Sequence, residues 1–175
     1  MERVRKHGVA VFSFALLARL AGFCLTTVTS LNPYAQADAE GFATSAAFIA
    51  NGLRAGTYTL HPEYTGIYGT FGAFLSPFWL LPGPSRLYAR VGMTILGAYA
   101  VYNVFLIVQV YARPEGAYIA VAPMVLYPSF IFIHSTILRE AIVLFGITTA
   151  ARLFILPSKR VHPLLTYATA SGLLW

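Results

Sequence analysis

Apolar runs of bilayer length follow one another from Gly8 to Leu156, broken only by single or paired charges and short Gly/Pro turns. Such runs cannot be spread over the surface of a particle in water. Hydrophobic residues make up 58% of the chain and charged residues only 10%, too little polar surface to coat a soluble domain of this size. Lipid must therefore cover most of it, and the expected fold is all-α, a polytopic transmembrane helix bundle. At about 20 residues per helix the chain has room for roughly five to six spans and one sizeable loop.

The formal net charge of +6 does not point to nucleic acid, because the Lys and Arg residues are scattered between the apolar runs rather than clustered. They read better as flanks of membrane helices. Arg3, Arg5 and Lys6 directly precede the first run, which places the N-terminus in the cytoplasm and the protein in the cell membrane. That run is too long for a signal-peptide core and lacks a small-x-small cleavage site, so it reads as an uncleaved span. Cys24 is the single cysteine, which excludes a disulfide, a thiol pair or a zinc site within one chain.

Residues 8–30 form the first expected span, stopped by Leu31 to Tyr34. Residues 31–64 are then an extracytoplasmic loop, and they hold Asp38, Glu40 and Glu63, half of the six acidic residues. Within it, Ala39, Phe42, Ala43, Ala46, Ala47, Ile49, Ala50 and Leu53 recur at helical spacing before the stop at Asn51, Gly52 and Gly56. This predicts a short amphipathic, interfacial helix on the outer membrane surface. Residues 66–82 read as a short second span, whose return puts Arg86 and Arg90 in the cytoplasm. Residues 91–112, 116–135 and 137–156 are the third to fifth, the fourth bent at Pro123 and Pro128 and the fifth opening at Arg139 and Glu140. The last apolar run, from Leu164 to Trp175, is too short to span. The chain thus reads as a single membrane domain over residues 1–175, the N-terminal part of a larger module or a subunit completed by a partner. It has no internal repeat and no low-complexity linker.

Several short pieces occur in a telling order. Ala15 to Leu20 (Ala-Leu-Leu-Ala-Arg-Leu) lies in the first helix, and Ala37-Asp38-Ala39-Glu40-Gly41-Phe42 comes beyond it. Then come Ala46 to Leu53, His61-Pro62, Tyr88 to Gly92, Tyr127-Pro128-Ser129, and Ser135 to Glu140. From Leu16 to Leu156 this order resembles the N-terminal half of the GT-C glycosyltransferases, membrane enzymes of the protein O-mannosyltransferase and aminoarabinose transferase kind. Two positions depart from the pattern: Glu63 stands where a second Pro or a basic residue is usual, and Phe42 where an aromatic hydroxyl is common. The resemblance implies transfer of a sugar from a polyprenyl-phosphate-linked donor to an extracytoplasmic protein, glycan or lipid acceptor.

That chemistry needs a base for the acceptor proton and charge compensation for the leaving lipid phosphate. By resemblance Asp38 holds the position of the first-loop catalytic aspartate, with Glu40 in reserve. The two carboxylates together also make a weak pattern for a divalent cation; no other cofactor is indicated. Either residue equally suits a helix N-terminus, where carboxylates favour the dipole. Arg54, His61 and Arg139 are candidates for the substrate phosphate or acceptor, against the alternatives that Arg54 reaches lipid phosphates and His61 is an ordinary interfacial loop residue.

Arg19 is the oddest charge, about 16 Å into a helix that begins near Gly8. An intramembrane arginine usually faces a polar cavity or a carboxylate, and Glu140 is a candidate partner. Counting spans puts Arg139 and Glu140 on the cytoplasmic side, whereas a bent or re-entrant segment at Pro123 and Pro128 puts them elsewhere. No phosphate loop, zinc-protease helix, serine-hydrolase elbow or zinc-ligand spacing is present. The alternative function is a non-catalytic membrane transport or assembly subunit.

Overall fold

A computed structural model describes residues 2–29 and 37–156. The described residues form seven helices and no strand: α1 (Glu2–Val28), α2 (Ala37–Arg54), α3 (Ile67–Leu80), α4 (Ser85–Val108), α5 (Pro114–Leu126), α6 (Pro128–Ile133) and α7 (Glu140–Ile155). The expected stop at Leu31 to Tyr34 and the final apolar run from Leu164 lie outside the described residues.

Two of the helices, α1 from Lys6 and α4, are long and apolar enough to cross a membrane. Hydroxyl groups near the end of α1 are satisfied within the helix itself. At the end of α1 the hydroxyls of Thr26, Thr27 and Thr29 each donate to the carbonyl four residues back. Small residues let α1 and α4 approach, with Ala15 and Ala98 buried in one apolar cluster.

α1 and α4 are antiparallel. Gly8, early in α1, backs onto Tyr102 and Leu106 late in α4, and Thr26 and Thr27 meet Arg90 near the start of α4. α5 and α6 follow the direction of α1, with Tyr118 at His7, Met124 at Arg19 and Ile131 against Gly22. α7 runs with α4: Ala141 shares an apolar cluster with Ala89 and Met93, while Thr149 and Arg152 meet Asn103. The result is an up-and-down bundle with His7 and Tyr118 at one end and Thr27, Arg90 and Glu140 at the other.

α2 and α3 sit at that second end. Asp38 meets Tyr68, Phe42 meets Phe71 and Arg54 meets Trp79, so the two helices lie side by side in the same direction. Residues 55–66 run back between their ends, with Thr57 bonded to Gly52, His61 against Phe48 and Tyr64 against Tyr68. Gly66, at φ 60°, turns the chain into α3 in a conformation that a side chain would strain.

This arrangement does not show two of the expected features. The apolar stripe of α2 packs within the protein, with Phe42, Ala43 and Ala46 buried in one cluster with Phe71 and Leu75 of α3. Residues 66–82 do not form a crossing between Glu40 and Arg86. With 14 residues, α3 is about 21 Å long. Arg86 beyond it hydrogen-bonds Glu40 before it, so both stand at the same end of the bundle.

Candidate functional site

The end of the bundle that carries α2 gathers charges from four separate segments. Asp38 and Glu40 come from the first turn of α2, Tyr68 from α3, Arg86 and Arg90 from the first two turns of α4, and Arg139 and Glu140 from the start of α7. Helical geometry sends the two carboxylates apart, since residues two positions apart point about 200° from each other. Asp38 accepts a hydrogen bond from the Tyr68 hydroxyl. Glu40 is held on the other side by Arg86, with Nη1 and Nη2 donating to its two oxygens at 2.8 and 2.5 Å. The two do not converge on a common cation position, and no group of three metal-ligating side chains occurs among the described residues.

These contacts set the charge states. The Arg86 guanidinium holds the Glu40 carboxyl below the usual glutamate range. The Tyr68 hydroxyl is pushed up, first by its bond to Asp38, and the nearby positive charge of Arg139 partly offsets this. Arg139, at the start of α7, bears on Tyr68 only through its positive charge.

Beside the carboxylates lies a pocket of about 430 Å³. Phe23, Leu87 and Ile137 supply apolar walls, and Glu40, Arg86 and Arg90 supply charge. Arg90 is fixed there: Nε donates to the Ser135 carbonyl at 2.9 Å, Nη1 to Thr27 Oγ1 at 3.1 Å and Nη2 to Thr26 Oγ1 at 2.5 Å. Its guanidinium also lies over the Phe23 ring, 4.5 Å from the centroid. With one carboxylate against two guanidinium groups, the wall carries a net positive charge. Asp38 does not line this pocket; it is separated from it by Ala39.

The other candidates fall elsewhere. Arg54 is 16 residues along α2 from Asp38, about 24 Å away, and donates to Asn51 Oδ1 and the Trp79 carbonyl. His61 packs between Phe48 and Tyr64, and its Nδ1 accepts the Glu63 amide at 3.2 Å, two rings removed from Asp38. Neither reaches the charged cluster. Glu140 is not the partner of Arg19: it is exposed in the first turn of α7, while Arg19 is fully buried. Arg19 donates through Nε to His134 Nδ1 at 3.2 Å and through Nη1 and Nη2 to the Ala15 and Met124 carbonyls at 3.1 and 3.0 Å.

Sequence reasoning missed Tyr68 and the Arg86–Arg90 pair. Tyr68 is one of eleven tyrosines and has no distinguishing neighbour, whereas Arg86 and Arg90 read as cytoplasmic flanking charge. The available signal was length, since 66–82 is short for a span and carries Pro77 near the end of its helix.

No family model, no curated protein and no solved structure matches this chain.

Proposed function

We propose that the protein is a multi-pass membrane glycosyltransferase of GT-C-like organisation, or the N-terminal half of one, acting at the extracytoplasmic face on a polyprenyl-phosphate-linked sugar. The single observation that carries this reading is the contact of Asp38 with Tyr68, with Arg139 adding positive charge nearby, beside a pocket whose walls are part apolar and part cationic. A lipid-linked donor needs that combination, with hydrocarbon on one side and positive charge for its phosphate on the other.

In this reading α1, α4, α5 with α6, and α7 are four crossings rather than five or six. The exposure of large apolar side chains around the bundle supports it: Leu17 is 63% exposed, Ile119 75% and Phe154 74%. In water such a surface would drive association, and lipid covers it without cost. Arg3, Arg5 and Lys6 then place the α1 start in the cytoplasm, and the α2–α3 layer lies outside.

Asp38 takes the proton of an acceptor hydroxyl as that oxygen attacks the anomeric carbon. The bond from that carbon to the lipid phosphate oxygen breaks, and the phosphate leaves with the electron pair, next to Arg90 and Arg139. Tyr68 orients Asp38 by its hydrogen bond. Glu40 serves by fixing Arg86, not as a base.

A rival reading, a non-catalytic binding or assembly subunit, draws on the position of Asp38 outside the pocket. Protein reconstituted in liposomes with a labelled polyprenyl-phosphate sugar separates the two. Transfer that Asp38→Asn abolishes supports the enzyme. Donor binding without transfer supports the subunit, and transfer retained by Asp38→Asn removes the proposed base.

A further inference from the structure

Arg19 is a fully buried cation with no carboxylate partner among the described residues, and its hydrogen bonds go to neutral groups on three segments. One of those groups explains why it is there. In a continuous helix the Met124 carbonyl would accept the amide of residue 128, four positions on, but residue 128 is proline and has no amide. The chain breaks at that point, with Tyr127 extended at φ −69° and ψ 123° between α5 and α6. The orphaned carbonyl is partly buried, and a buried carbonyl left without a donor costs free energy. Arg19 Nη2 donates to it at 3.0 Å.

The same protein repeats the device on a smaller scale. Pro77 leaves the Ala73 carbonyl without its amide in α3, and Ser76 Oγ donates to that carbonyl at 2.9 Å. A serine suffices inside one helix. Between helices a long side chain is needed, and Arg19 reaches from α1 to α5.

Arg19 also grips the chain beyond the break. Its Nε donates to His134 Nδ1, which requires the neutral ring with its proton on Nε2, and its own carbonyl accepts Ser135 Oγ at 3.0 Å. Thr94 and Arg90 of α4 hold the carbonyls of the same two residues. His134 and Ser135 are thereby pinned between α1 and α4, a few residues before Arg139 at the start of α7, whose charge bears on Tyr68.

We propose that Arg19 is a positioning residue: it replaces the amide missing at Pro128 and thereby fixes the turn that presents Arg139 at the site. The assignment of Arg139 to that site rests on the proposed function; the replacement of the amide does not.

The test uses the full chain in bicelles, with Cys24 replaced by Ser and cysteines placed at 68 and 139, joined by a short bifunctional maleimide. Arg19→Met is expected to lower the cross-linking yield severalfold, and Arg19→Lys, which keeps the charge but loses the fork, to lower it less. Thermal unfolding supplies the second measurement. The loss caused by Arg19→Met should shrink by more than half when Pro128→Ala restores the amide. Unchanged cross-linking in both Arg19 variants, or simple addition of the Arg19 and Pro128 effects, would overturn the proposal. Should Arg19→Met not fold, the Lys variant alone carries both comparisons. None of these readouts requires substrate, so failure of the transferase reading leaves them interpretable.

Discussion

Arg86 clasps both oxygens of Glu40, and this two-pronged ion pair ties the first turn of α4 to the first turn of α2 across 46 residues of sequence. Between them the chain makes α2, a returning segment and α3 without leaving that end of the bundle. The direction of every later helix is set by this. If residues 66–82 crossed the bundle, Arg139 would arrive at the opposite end from Asp38.

Labelling should show that arrangement directly. In a Cys24→Ser background inserted in sealed vesicles, single cysteines at 40, 86 and 139 are expected to react with an impermeant maleimide from one side, and a cysteine at 7 from the other. Residue 86 reacting from the side of residue 7 would reinstate a crossing between Glu40 and Arg86.

The ion pair itself should contribute little to stability. Its side chains are 58% and 59% exposed, and exposed pairs are worth about 0.2–1 kcal/mol at best. Glu40 titrates below its ordinary value of 4.5 when folded, so its contribution is complete above that pH and fades as pH falls through the lower folded value. Glu40→Gln should flatten the melting temperature between the ordinary glutamate range and the acid below it, with no change at neutral pH beyond the loss of the pair.

Asp38→Asn should leave folding intact while returning the Tyr68 hydroxyl towards the ordinary tyrosine range, because the bond to Asp38 is the largest cause of its upward shift. The comparison to make is a tyrosinate absorbance titration of Asp38→Asn against Asp38→Asn/Tyr68→Phe and the parent. A Tyr68 titration unmoved by Asp38→Asn would contradict the contact.

Gly97→Ala is expected to destabilise by about 1–3 kcal/mol, the cost of overpacking a core. A methyl group there would stand 2.7 Å from His134 Cγ and Nδ1, and the ring cannot retreat while Arg19 holds it. The change would also tend to raise helix propensity by about 1 kcal/mol, so an increase in stability would mean that the His134 ring moves freely.

Asn103→Ala removes the acceptor of Arg152 Nη1 at 3.0 Å and the donor to Thr149 at 2.9 Å between α4 and α7. Loss of this buried contact should cost about 1–2 kcal/mol in a lipid-like medium. Thermal unfolding in bicelles measures it; a change within the error of a surface substitution would show that α7 is held by apolar packing alone.

Several elements were legible in the residues themselves. The apolar runs at 8–30 and 91–112 anticipated α1 and α4, with starts six residues late, the run at 137–156 anticipated α7 more closely, and Pro128 marked the break between α5 and α6. The helical spacing from Ala39 to Leu53 anticipated α2. These features depend on side chains close together in sequence, where hydropathy, helix period and a missing amide act locally.

The site was legible only in part. Asp38 and Arg139 fall at the end of the bundle that carries the charged cluster, while Arg54 and His61 bond elsewhere and Arg19 bonds His134 rather than Glu140. What the residues alone settled is a helical, strongly apolar chain, because composition and periodicity are additive along it. Which ends of those helices share a face was decided by folding. That choice turns on whether a 14-residue helix crosses or folds back, and on contacts such as Arg86 with Glu40 and Arg19 with Met124, whose energies exist only once distant segments meet.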